Sequence, residues 1–179
     1  KYFPLILGGD HATAIGSIAG IASYCKKRNK TLGVIWIDAH PDMNTPETTP
    51  SGNIHGMPLA VALGLGHKRL VGIGGFKPKI KVENVAMIGI RDVDALEAET
   101  IKKLGMTVYT MTDVDKLGIH NILTKVLEDF KSRVDHIHIS VDMDGIDPDY
   151  AEGVGTPVPG GLTYRESQLI METIASSGS

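Results

Sequence analysis

The 179-residue sequence has one cysteine, so it cannot close an internal disulfide. Cys25 lies among apolar residues at helical spacing, which predicts a buried thiol and suits a reducing cytoplasm. No apolar run approaches the roughly 18 residues of a membrane span, and Tyr2 to Leu7 is too short for the core of a signal peptide. No membrane role is expected. Acidic residues outnumber basic ones, 21 to 18, leaving a formal net charge of −3 and none of the broad positive field that gathers phosphate backbones. Nucleic acid is excluded as a partner on that ground. Repeats, charge blocks, low-complexity segments and dividing linkers are also missing, so residues 1–179 are expected to form one domain. An initiating methionine is absent too, and the sequence closes on Ala-Ser-Ser-Gly-Ser, which gives the expectation of a domain incomplete at both ends.

With 42% hydrophobic residues the chain has enough apolar material for a sizeable core. Short runs rich in Val and Ile at Tyr2–Leu7, Leu32–Ile37, Val85–Ile90 and His136–Val141 are bounded by Gly, Asp or Pro and predict buried strands. Helical spacing separates them: Ile15, Ile18, Ala19 and Ala22; Leu96, Ile101 and Leu104; Ile119, Ile122, Leu123, Val126 and Leu127. Lys26, Lys27 and Arg28 suit the negative pole at the end of the first helix. Thr163 and Glu166 have capping-box spacing ahead of the run 169–174. Strand alternating with helix predicts an α/β fold, a mainly parallel sheet with helices on its faces.

Ligands of such sheets bind beyond the carboxyl ends of the strands. The residues there are acidic and rich in histidine: Gly8-Gly9-Asp10-His11, Asp38-Ala39-His40-Pro41-Asp42, Arg91-Asp92-Val93-Asp94, and the run from Asp142 to Pro148. Carboxylates converging in one crevice repel one another unless cations neutralise them. Imidazole and carboxylate donors without thiolate favour manganese or a similar divalent ion, and the number of donors suggests two. Asp38, His40 and Asp42 alternate, as do Asp142 and Asp144, so each set can present several donors to one side. A calcium loop at Asp142 is excluded, because Asp147 stands where that loop requires glycine. Any one of these motifs alone reads equally as a turn or a hydrogen-bonded histidine; their recurrence after successive strands points to metal.

Gly-Gly-Asp-His, Asp-Ala-His-x-Asp and Ser-x-Asp-x-Asp-x-x-Asp-Pro, in this order, resemble the signatures of the ureohydrolases, and Gly155-Thr156-Pro157 with Gly160-Gly161-Leu162-Thr163 extends the likeness. Asn44 and Ser51-Gly52-Asn53-Ile54-His55-Gly56 resemble arginase rather than agmatinase. The resemblance implies a three-layer α/β/α fold and two manganese ions per chain. It assigns one ion to His11, Asp38, Asp42 and Asp142 and the other to His40, Asp38, Asp142 and Asp144, with Asp38 and Asp142 bridging. Ala12, where the family usually has Ser, and Pro41 are small departures that remove no ligand.

The resemblance further implies hydrolysis of the guanidinium of L-arginine to L-ornithine and urea, by water that two divalent ions activate. His55 is the expected proton shuttle to the leaving amine. Asn44, Ser51 and Asn53 are expected at the substrate α-carboxylate, Asp94 at its ammonium with Glu97 assisting through water, and Thr156 near the guanidinium end. Four carboxylates and a hydroxide against two divalent ions leave a net negative core that attracts a guanidinium. A homo-oligomer, trimer or hexamer, is implied for the full-length protein. The family's guanidinium-binding glutamate belongs to a later segment, so slow turnover is expected of this polypeptide alone. Two alternatives stay open: an agmatinase-like or other guanidino hydrolase, and a metal-binding module with little activity.

Overall fold

The computed structural model describes residues 4–177. Four parallel strands, β1 (Leu32–Ile37), β2 (Val85–Ile90), β3 (Thr107–Thr110) and β4 (His136–Val141), lie in the order β3-β2-β1-β4. Three coincide with apolar runs of the sequence. Every residue of β1 and β2 is buried, because helices cover both faces of the sheet.

Side-chain alternation divides the core. Leu32, Val34, Trp36, Val85 and Met87 face one side, where they meet α1 (Thr13–Lys27), α2 (Pro58–Ala62) and the Ile101–Leu104 end of α4 (Ala95–Leu104). Ile35, Ile37, Ala86 and Ile88 face the other, against α5 (Met111–Leu117), α6 (Ile119–Lys131) and α7 (Tyr164–Ser176). Three layers, α/β/α, result. The buried stripes Ala14, Ile15, Ile18, Ala19, Ala22 and Cys25 of α1 and Ile119, Ile122, Leu123, Val126, Leu127 and Phe130 of α6 follow helical periodicity. Emptying one such position, as in Phe130→Ala, should cost about 3–5 kcal/mol. The short helix α3 (Lys68–Val71) closes a smaller cluster of Ile15, Met57, Val61 and Val71.

Two sequence-based expectations need correction. The strand expected over Tyr2–Leu7 is not found in its described part: residues 4–7 carry no ladder, and Leu5, Ile6 and Leu7 are exposed, with Tyr2 and Phe3 outside the described residues. A strand requires a hydrogen-bonded neighbour, and among the described residues the sheet ends at β4. Conversely, β3 had no apolar run to announce it, being a short edge strand with exposed or half-buried residues. Other local signals hold: Thr163 and Glu166 cap α7 reciprocally, and Cys25 is a buried free thiol. Among the described residues, no helix is long and apolar enough to cross a membrane.

One irregularity serves the site. Gly89 has φ +93°, the β2–β3 register shifts between Ile88 and Ile90, and a side chain at Gly89 would stand 3.2 Å from Asp38 O. Glycine there lets β2 approach the end of β1 closely.

Candidate metal centre

The carboxyl ends of β1, β2 and β4 open on an acidic cavity. His11 reaches it from the turn before α1, where Asp10 Oδ1 accepts from Ala12 N at 3.1 Å. Asp38 and Asp142 each come directly after a strand, and Asp144 sits in the 3-10 turn Met143–Gly145. Asp42 has φ +52°, a conformation rare for residues other than glycine, and its carbonyl accepts from Leu59 N and Ala60 N at the start of α2.

These side chains form two groups that share Asp38: His11, Asp38 and Asp142, and Asp38, His40 and Asp144. His11 Nδ1 lies 2.8 Å from Asp38 Oδ2 and 3.2 Å from both Asp42 Oδ2 and Asp142 Oδ2. His40 Nδ1 lies 3.2 Å from Asp144 Oδ2 and 3.5 Å from Asp38 Oδ1. Asp38 thus touches both groups, while Asp142 joins only the one around His11.

Electrostatics explains why the cluster needs positive charge. Burial alone would depress His11, but its bonds to Asp38 and Asp42 outweigh that and lift it to about 10. Asp144 first and Asp38 second lift His40 to about 10 as well. Burial and the charge of Asp38 push Asp42 well above the carboxylate range, and the donor facing its buried Oδ2 is His11 Nδ1, 3.2 Å away and shared with Asp38 and Asp142. Buried imidazole and carboxylate donors crowded around a single shared N–H, with no thiolate, fit a divalent ion of the manganese type.

Supporting contacts fix the donors. His11 stacks on Trp36 with centroids 4.0 Å apart, and its Nε2 lies 2.8 Å from Ser140 Oγ, leaving Nδ1 directed at the carboxylates. Trp36 Nε1 donates to Asp38 Oδ2 at 3.0 Å, and Thr156 Oγ1 to Asp144 Oδ2 at 2.9 Å. Sequence motifs gave Trp36 and Ser140 no role. Strand alternation was the available signal, since each stands two residues before a cavity aspartate.

Of the other residues singled out by sequence, Asn44, Ser51, His55, Asp94, Glu97 and Thr156 all line the cavity, together with Thr49 and Asp92. Asn44 is buried, donates to Asp94 Oδ2 at 2.8 Å and accepts from Thr48 Oγ1 at 2.9 Å. Asn53 does not line the cavity; it is exposed just ahead of the turn Ile54–Gly56, and its N–H donates to Ser51 Oγ at 3.2 Å. Glu97 is buried, and its two oxygens accept from Met43 N at 2.7 Å and Asp94 N at 3.3 Å. It ties the loop after β1 to the loop after β2, and burial lifts its carboxyl to about 7.

An acidic, histidine-bearing crevice at the carboxyl ends of a parallel sheet is a class of site able to hold divalent cations. Comparison with known proteins makes this specific. The model of the Arginase family matches residues 1–179, and the chain belongs to that family. It is 56% identical to the arginase of Bacillus subtilis (strain 168) over 178 residues, 99% of this chain and 58% of that protein. The solved arginase of Bacillus caldovelox superposes with a TM-score of 0.93 at 54% identity, covering 98% of this chain and 57% of the other. An Entamoeba histolytica arginase solved in complex with L-ornithine matches with a TM-score of 0.87 at 43% identity, over 93% of this chain and 56% of that one. The chain therefore spans somewhat more than half the length of these relatives.

Proposed function

We propose that this chain carries the binuclear manganese centre of a hydrolase that cleaves the guanidinium of L-arginine to L-ornithine and urea. The observation that carries the reading is the pair of His/Asp groups sharing Asp38, with the buried Asp42 Oδ2 beside them at 3.2 Å from His11 Nδ1. His11, Asp38, Asp42 and Asp142 would hold one ion, and His40, Asp38, Asp142 and Asp144 the other. When bound, such ions supply a nucleophile from water near neutral pH and Lewis acidity at the reacting carbon.

The chain's own residues do the rest. Asp38, Asp42, Asp142 and Asp144 would balance two divalent ions, and Asp92 and Asp94 on the cavity wall add the negative charge that draws in a cationic guanidinium. His55, half-buried on the cavity wall, delivers a proton to the departing amine. Asn44 and Ser51 receive the α-carboxylate, with Asn53 joining them from the rim, and Asp94 pairs with the α-ammonium. Glu97 supports Asp94 through its backbone N–H, which is a firmer basis for its role than a bridging water. Thr156 keeps Asp144 aimed at His40 near the guanidinium end. A homo-oligomer, trimer or hexamer, accompanies this reading, and exposed Leu5, Ile6 and Leu7 offer apolar surface for it to cover. The cytoplasm suits a protein whose single thiol is buried and unpaired.

Manganese-loaded protein incubated separately with arginine and agmatine tests the proposal. Ornithine and urea should accumulate in equal amounts from arginine, with little urea from agmatine. Faster urea release from agmatine would transfer the substrate assignment to that amine. Bound manganese with no urea from either would make the chain a binding module.

A further inference from the structure

Arg91, directly after β2, has no part in the proposed chemistry, yet its side chain is densely hydrogen-bonded beside the cavity. A guanidinium has five N–H groups. Nε and Nη2 converge on Val158 O at 3.1 and 2.6 Å, Nη1 donates to Gly89 O and Gly145 O at 3.2 Å each, and Nη2 donates also to Asp144 O at 2.6 Å. All five donors are used, and every acceptor is a backbone carbonyl. Among the described residues, no carboxylate lies within ion-pair distance of Arg91. It is a three-way clamp, joining the end of β2, the turn that carries Asp144 and the loop that carries Thr156.

That clamp bears most directly on one half of the centre. Asp144 is fixed through its own carbonyl by Arg91, while its side chain accepts from Ala39 N at 3.2 Å and from Thr156 Oγ1 at 2.9 Å. Thr156 is two residues before Val158, whose carbonyl takes the bidentate fork. Asp147 secures the far end of the same loop by accepting from Gly160 N and Gly161 N at 2.7 and 2.9 Å. The fit is tight: a Cβ on Gly161 would come within 2.6 Å of Arg91 Nη2. His11, Asp42 and Asp142 receive no bond from Arg91.

We propose that Arg91 is a positioning residue for the Asp38–His40–Asp144 half of the metal centre, holding Asp144 and the Thr156 loop in ligand geometry, while the His11 half feels it only at second hand through Asp38 and through the bond from Asp144 N to Asp142 Oδ1 at 3.0 Å. The assignment rests on the two-cation reading. The competing possibility is that Arg91 acts as a charge alone. A fixed cation near the site would repel a metal ion, so its removal would tighten binding, whereas removal of a clamp must weaken it.

Manganese binding isotherms, followed by electron paramagnetic resonance of the free ion, distinguish these for the parent protein, Arg91→Lys and Arg91→Met. His40→Asn and His11→Asn mark which binding step belongs to which half. Loss of a partner that orients a metal ligand typically costs about 10–100-fold in affinity. Both Arg91 variants should weaken the step marked by His40→Asn by about that factor and the step marked by His11→Asn several-fold less. Lysine keeps the charge but not the fork, so it should not rescue. Tighter binding in Arg91→Met, equal weakening of both steps, or no change would overturn the proposal. Should both variants unfold, Asp147→Ala, which frees Gly160 N and Gly161 N at the far end of the clamped loop and keeps the guanidinium, should give the same selective loss, and unselective loss there overturns it. A parent that binds one ion or none fails the two-cation reading itself; two ions with unselective variants fails Arg91 alone.

Discussion

Replacing Asp38 by asparagine removes one oxygen from a carboxylate that four groups approach at once. Asp38 is 1% exposed; Oδ2 accepts from His11 Nδ1 at 2.8 Å and Trp36 Nε1 at 3.0 Å, while Oδ1 accepts from His40 N at 2.7 Å and faces His40 Nδ1 at 3.5 Å. An asparagine amide placed either way sets its NH₂ against another N–H. Turned toward His40 it strands that backbone donor; turned toward Trp36 it strands the indole. One buried donor left without an acceptor costs about 1–3 kcal/mol, so the metal-free protein should lose stability by that amount in urea unfolding. The effect on metal is larger. Asp38 belongs to both donor groups, so Asp38→Asn should weaken each ion by more than the ~100-fold upper range for losing an outer partner. Asp142 belongs to one group only, so Asp142→Asn should weaken the ion at His11 more than its neighbour. Elemental analysis after dialysis reads both. Two ions retained per chain in Asp38→Asn would refute the idea that this carboxylate is shared.

The same geometry sets other expectations. Glu97 has its carboxyl raised from 4.5 to about 7, so the folded state holds its proton more tightly than the unfolded one; the stability this contributes is complete below pH 4.5 and is lost as pH rises through 7. The shift corresponds to about 3 kcal/mol, and Glu97→Gln should flatten the stability difference of the metal-free protein between pH 5 and pH 8 by up to that amount; identical slopes in urea titrations would contradict it. Ser51→Ala and Asn44→Ala should raise KM for arginine and leave agmatine, which lacks the α-carboxylate, nearly untouched; equal losses for both substrates would remove arginine as the intended one. His55→Gln should lower kcat by roughly 100-fold or more with little change in melting temperature, since the side chain is half-buried and makes none of the contacts that hold the core. Unchanged turnover in that variant would send the search for the proton donor to another residue.

The parts of the fold legible in sequence are those whose cause is local. β1 and β2 are buried on both faces, which turns Leu32–Ile37 and Val85–Ile90 into uninterrupted apolar runs with visible ends. Thr107–Thr110 escapes because an edge strand buries little and its β-structure comes from pairing with β2. Pro4–Leu7 misleads for the opposite reason: its composition suits a strand, but a strand is made by its neighbour. The metal donors were legible because they recur at strand ends with their motifs intact. Their supports were not, because each acts across the fold. Ser140 meets His11 from 129 positions away, and Arg91 clamps a carbonyl 67 positions on. Glu97 shows the limit most clearly, since the family resemblance implied help at the substrate ammonium through water, and only the packing of two loops revealed what its oxygens hold.

Titrating manganese into metal-free protein while measuring both bound ion and urea release from arginine tests the central claim most directly. Two ions per chain should bind, with urea release rising only as the second is taken up, because Asp38 and the two histidine-bearing groups form one centre. Saturation of activity at one ion per chain, or full occupancy by two ions without urea release from arginine, would contradict it.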